Sequence, residues 1–141
     1  MYLDNFGDLS TAQAETTATT HISDNVVDLG VSGRRIVDPL WYFFRVTTAI
    51  VSAGGGTLQI QIVTSAAAAL TASTVIWDSG TIPNATIVAW AVNAMPYPRI
   101  PVTYADTLLR YFGAIYTIGT DVFTAGAWDL RPAVDVSVPA L

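Results

Sequence analysis

Reactive side chains are scarce in this sequence. His21 is the single histidine and Glu15 the single glutamate, and cysteine and lysine are absent. A Ser-His-Asp triad or a multi-histidine metal site would have to be built around His21 alone, inside a polar N-terminal stretch. A solvated histidine is the expectation there. Without lysine there is no P-loop and no Schiff base, so Gly54-Gly55-Gly56 reads as a turn and not as a phosphate cradle. The ten aspartates occur singly, half of them beside Gly, Ser, Asn or Pro, where aspartate caps turns. They show neither an oxygen-ligand loop nor the carboxylate pair of a glycosidase. Asn84-Ala85-Thr86 fits a glycosylation acceptor triplet, with no secretion signal beside it. The expectation is therefore a protein that binds and is not an enzyme, with no cofactor and no metal.

Charge points the same way. Only 12% of residues are charged, against ~25% in ordinary soluble domains, while 52% are hydrophobic. The polar surface has to come from Thr, Ser, Asn, Gln and backbone, and a surface of that kind invites association. Net charge is −5, with six arginines scattered along the chain. Affinity for phosphate backbones rests on clustered Lys and Arg, so nucleic acid is not an expected partner. No apolar run approaches the ~18 residues that cross a bilayer, and no signal pattern opens the chain. It reads as soluble and unprocessed, with no membrane partner.

The elements that would carry such a surface are strands. In residues 57–64, Leu58, Ile60 and Ile62 alternate with Thr57, Gln59 and Gln61, the period-two pattern of a strand buried on one face. In residues 41–51, Tyr42, Phe44, Val46, Thr48 and Ile50 fall on one face, with Arg45 and Thr47 opposite. Ser52 to Gly56 would join these two as a hairpin. Further strands are expected at 74–78, 86–92, 108–118 and 125–136, with Pro132 marking an edge position or a bulge in the last. Turns are expected at Asp78-Ser79-Gly80, Ile82-Pro83-Asn84 and Gly119-Thr120-Asp121. Residues 65–70, SAAAAL, suggest a short helical turn capped by Ser65. Residues 95–102, rich in proline, suit an extended edge segment. Trp41, Trp77, Trp90 and Trp128 all fall in expected strands, where core packing is their common fate and a sugar platform the alternative. Residues 1–25 carry little apolar periodicity and read as an N-terminal arm, leaving residues 26–141 as one domain. The whole is an all-β chain, an antiparallel two-sheet sandwich of jelly-roll type with an extended N-terminal arm.

Several pieces together support a resemblance. Met1-Tyr2-Leu3-Asp4, then Ser10-Thr11-Ala12-Gln13-Ala14 leading to Val27-Asp28-Leu29-Gly30, and Phe123-Thr124-Ala125-Gly126-Ala127 look like the small capsid cement (decoration) proteins of tailed bacteriophages. The placement of arginine and proline from Met95 to Pro101 is also similar. The SAAAAL stretch and the aromatic WYFF start have no match in that pattern. The resemblance implies a jelly-roll domain that oligomerises as a dimer or trimer on the outer surface of the virion head. There it would bridge major capsid proteins against the pressure of packaged DNA. It supplies no catalytic residues. On this reading the contact residues are Tyr2, Leu3 and Phe6 on the arm, with Arg45 and Arg99 as polar anchors. The competing expectation is a carbohydrate-binding β-sandwich module using exposed tryptophans.

Overall fold

The computed structural model describes residues 8–30, 40–102 and 108–132. Nine strands form over these residues: β1 (Ser10–Gln13), β2 (Thr20–Ile22), β3 (Val27–Asp28), β4 (Leu40–Val51), β5 (Thr57–Ser65), β6 (Thr74–Ile82), β7 (Tyr97–Val102), β8 (Tyr111–Gly119) and β9 (Ala125–Pro132). One helical turn, α1 (Asn84–Ile87), lies between β6 and β7. The strands make two antiparallel sheets, ordered β1-β9-β4-β7 and β2-β8-β5-β6. Because β2 and β3 follow one another along β8, they fill a single position. Every successive strand position then crosses between the sheets except β5 and β6, which form a hairpin, and the first lies beside the last, which is jelly-roll connectivity. The all-β sandwich expected from the sequence is the observed fold.

Period-two patterning builds both central strands. Tyr42, Phe44, Val46 and Ile50 of β4, and Leu58, Ile60 and Ile62 of β5, turn into the space between the sheets and are buried. Thr48, expected on the same inward face, is exposed. The β4 register shifts on both sides of it, between Val46 and Thr48 and between Thr48 and Val51, so a bulge turns that residue out of the alternation. Trp128, at the centre of the core, lies 5.2 Å from Tyr116 and 6.0 Å from Phe44 between ring centroids. Phe44 also meets Trp90 and Tyr97 edge-on. Burial raises the Tyr42 and Tyr116 phenols above the ordinary tyrosine range.

Several expectations are corrected. The segment 52–56 is not a hairpin, because β4 pairs with β7 and β9 while β5 pairs with β6 and β8. It is an arch that carries the chain from one sheet to the other. It packs so closely on the turn at Asp121 that a side chain at Gly54 would collide with that carboxylate. Residues 86–92 are not a strand. The Pro83 carbonyl accepts from the Thr86 and Ile87 amides, and the inward side chains Ile87 and Trp90 sit at helical spacing. Asp78-Ser79-Gly80 is a bulge inside β6 and not a turn. Gln59 faces Thr81 while Gln61 faces Asp78, Gly80 takes φ +69°, and the Ser79 hydroxyl accepts the Ile60 amide. Ser65 caps a turn and not a helix: its hydroxyl accepts the Ala67 amide, and the Leu70 amide then reaches the Ala67 carbonyl. That turn lays Leu70 over Gly113, away from the main core cluster.

β7 is an edge strand, as its prolines suggest. β9, in contrast, lies between β1 and β4. Pro132 is tolerated there because the described β1 ladder stops at Ser10 opposite Leu130. Residues 133–136 of the expected last strand lie outside the described residues. The expected arm is also redrawn, since β1 and β2 place residues 10–13 and 20–22 in both sheets. Leu9 is a fully buried member of the core, so the sandwich begins there and not at residue 26. Residues 1–7 lie outside the described residues.

Candidate interaction surface

The alternation that buries Tyr42, Phe44 and Val46 turns Trp41, Phe43, Arg45 and Thr47 to the outside of the same sheet. Register brings neighbours beside them: Pro101 of β7 lies opposite Trp41, Arg131 of β9 opposite Phe43, and Asp129 opposite Arg45. Arg99, two residues before Pro101, shares that face, and its guanidinium carbon sits 5.0 Å above the Trp41 ring centre, a cation–π contact. Arg45 and Arg99, the two anchors selected from the sequence, are thus brought onto one surface. Tyr2, Leu3 and Phe6 lie outside the described residues. Phe43, Asp129 and Arg131 are not among the residues that the sequence singles out, and Trp41 is singled out only as a core or sugar-platform tryptophan. The alternation that placed Arg45 outward carries Trp41 and Phe43 with it, but their aromatic character favours the core.

Charge on this face is arranged in pairs. Arg45 Nη2 donates to Asp129 Oδ2 at 2.6 Å, and the Ala12 amide donates to Asp129 Oδ1 at 2.7 Å. The Asp129 carboxylate, almost wholly buried, is therefore satisfied at both oxygens. The Arg45 Nε and Thr47 Oγ1 atoms are buried without a hydrogen-bond partner. Arg131 Nη2 and Nε reach a single Asp8 oxygen at 2.9 and 3.1 Å.

The outer face of the other sheet is chemically different. Gln59 and Gln61 donate to Asp78 at 3.0–3.1 Å, and the Gly80 amide does so at 2.7 Å. Partial burial works against that carboxylate's charge, but these donors together hold its pKa below the ordinary value. Further along, Arg110 bonds both Asp28 oxygens. Together with the Gly30 amide it lowers the Asp28 pKa to about 2.

A polar network closes the open side between the sheets. The Gln13 amide accepts from Ser10 Oγ (2.5 Å) and the Asp24 amide (3.0 Å), and donates to Glu15 (2.7 Å) and the Ile22 carbonyl (2.9 Å). Since the Ser10 hydrogen goes to Gln13, the Tyr116 hydroxyl at 2.7 Å must donate to Ser10. Glu15 Oε2 lies 2.9 Å from His21 Nδ1, and Thr17 contacts the other ring nitrogen. His21 is therefore held between Glu15 and Thr17 and not freely solvated, and the Ser10 hydroxyl is engaged by Gln13 and Tyr116. Burial and the Glu15 charge raise the Asp24 carboxyl. Among the described residues, no group of three or more His, Cys, Asp or Glu is placed to hold a metal ion, and no helix is long and apolar enough to cross a membrane.

The arch, the start of α1 and the β8–β9 turn meet at one end of the sandwich. Of the seven large apolar side chains exposed among the described residues, Val51 and Val122 lie there, while Val92 and Met95 flank the residues that bond to Val46, midway along β4.

No curated protein matches the chain. The sequence model of one family, described as Bbp16, matches residues 9–131, which spans the sandwich from Leu9 on β1's flank to Arg131 in β9. The chain belongs to the Bbp16 family.

Proposed function

We propose that this protein is a bacteriophage capsid cement protein that binds the outer surface of the head and bridges major capsid proteins, acting by binding and not by catalysis. The observation that carries the reading is the outer face of the β1-β9-β4-β7 sheet. Arg45, Arg99, Trp41 and Phe43 there belong to the residue classes that dominate interface energetics, and they stand on paired strands that hold them in place. Exposed apolar side chains and a surface of few charges add support. So does the resemblance, three of whose segments fall on β1, on β3 and at the start of β9, with Met1 to Asp4 outside the described residues. Binding only the assembled lattice stabilises that state by mass action, and many copies add together.

The carbohydrate-binding reading fares less well on the tryptophans. Trp128 is fully buried, Trp77 and Trp90 pack against the core, and the Trp41 ring lies under Arg99. The test is light scattering on the purified protein followed by co-sedimentation with heads that lack it. A stable dimer or trimer that pellets with heads is expected. A monomer that stays in the supernatant would overturn the reading.

A further inference from the structure

We infer that His21 is a proton-operated clasp on the connection between the two sheets, closed when both ring nitrogens carry a proton and released when one is lost. The chain passes from β1 in one sheet to β2 in the other through residues 14–19. Most of these side chains are exposed, but Glu15 is half-buried, and so is His21 on β2. Two acceptors face the imidazole: Glu15 Oε2 lies 2.9 Å from Nδ1, and the Thr17 carbonyl oxygen lies 3.0 Å from Nε2. Turning the ring over would put carbons at those distances, inside the ~3.3–3.6 Å of a C–H···O contact, so both positions belong to nitrogen. A neutral imidazole has one N–H to give, whereas a carboxylate and a carbonyl can only accept. The imidazolium has two, one for each. The Thr17 hydroxyl, 3.2 Å from Nε2, can donate to a neutral ring, but the nearer carbonyl would then face a lone pair.

The clasp closes on the residue that joins the sheets. Glu15 Oε1 accepts from Gln13 Nε2, and the same Gln13 side chain bonds the Ile22 carbonyl and the Asp24 amide. At the far end of the loop the Thr19 carbonyl accepts the Ile118 amide, which anchors it to β8. Between these anchors His21 ties Glu15 to Thr17. Loss of the Nε2 proton turns the Thr17 carbonyl from a partner into a repelling dipole, and the loop opens there. Histidine changes charge over roughly pH 5 to 8, so the clasp is closed at the acid end of that range and open at the other. Two further titratable groups lie on this side: Asp24, just after β2, and Tyr116 of β8, opposite His21 in register. Burial pushes the Tyr116 phenol up, so it stays neutral throughout. Burial and the Glu15 charge raise the Asp24 carboxyl, so its part is separated from that of His21 by substitution.

Glu15 is the single glutamate of the chain, so a glutamate-specific protease reports on this loop alone. The experiment measures cleavage after Glu15 in the full chain and divides it by cleavage of a free peptide of residues 10–20, which removes the pH dependence of the protease itself. Nuclear magnetic resonance follows the His21 ring nitrogens in parallel. The cleavage ratio is expected to rise about tenfold from about pH 5 to about pH 8, the equivalent of one charge-assisted hydrogen bond. The ring nitrogen shifts should change over the same interval. His21→Gln should make the ratio flat. Thr17→Val, which keeps the carbonyl and removes the hydroxyl, and Asp24→Asn should each leave the rise in place. A flat ratio in the wild type, a rise that survives His21→Gln, or ring shifts that change over a different interval would overturn the inference. So would loss of the rise in Thr17→Val, which would make the hydroxyl and a neutral ring the closed state, or its loss in Asp24→Asn, which would make Asp24 the titrating group.

Discussion

Replacing Gln13 by alanine tests how the two sheets are held together on the β1–β2 side. Gln13 leaves β1 in one sheet, and its amide bonds the Ile22 carbonyl and the Asp24 amide at the end of β2 in the other, as a peptide group would. The alanine variant removes those two bonds and the one to Ser10, and it also frees Glu15 from a donor. At about 1 kcal/mol net for each of three bonds, the loss is about 3 kcal/mol. That is a large part of the 5–15 kcal/mol by which a domain is ordinarily stable, and roughly 6–12 °C in Tm for a chain of this size. Ser10 keeps Tyr116 as its partner, so its own desolvation adds little. The assay is urea unfolding monitored by tryptophan fluorescence, paired with hydrogen exchange at the Asp24 amide. Unfolding should come at lower urea with an unchanged slope, and exchange at Asp24 should speed up. A variant within about 0.5 kcal/mol of wild type would refute the idea that this amide joins the sheets.

Other outcomes follow from the same contacts. Gly113→Ala should destabilise by about 1–3 kcal/mol, since the added carbon would lie 2.8 Å from Leu70 Cδ1 and 3.2 Å from Ser23 Oγ; adding Leu70→Ala should recover part of the loss in a double-mutant cycle. Arg110→Ala should return the Asp28 titration from about 2 toward 3.8, read from its carboxyl carbon shift. Because the folded value is depressed, the pair stabilises above the unfolded value, and that contribution fades as pH falls from about 4 to 2. Tyr116→Phe should cost about 1 kcal/mol in thermal unfolding, through the lost bond to Ser10.

Fold class, the two central strands and the proline-rich edge strand could be read from the sequence because alternation and missing donors act locally. The arch at 52–56 could not be, because a glycine run signals a reversal without saying which sheet receives the chain. Residues 86–92 misled through β-branched Thr86, Ile87 and Val88, whose strand preference yields to the turn that Pro83 starts and to the burial of Ile87. β1 escaped notice because Ser10 and Gln13 are its buried residues, held by hydrogen bonds and invisible to hydrophobic patterning. On the candidate surface the arginines stood out by their charge. Asp129 did not, because only register across β4 and β9 brings it to Arg45.

The pairing of β1 with β9 also sets how the domain answers to force. Their antiparallel register brings Asp8 and Pro132 out at the same end of one sheet. A pull between those two points opens the ladder one hydrogen bond at a time, like a zipper, and needs little tension. A push or drag across the broad face instead spreads over β1, β9, β4 and β7 at once, so many bonds share the strain. A fold wired in this way holds when loaded across its face, and it peels when loaded at Asp8 and Pro132.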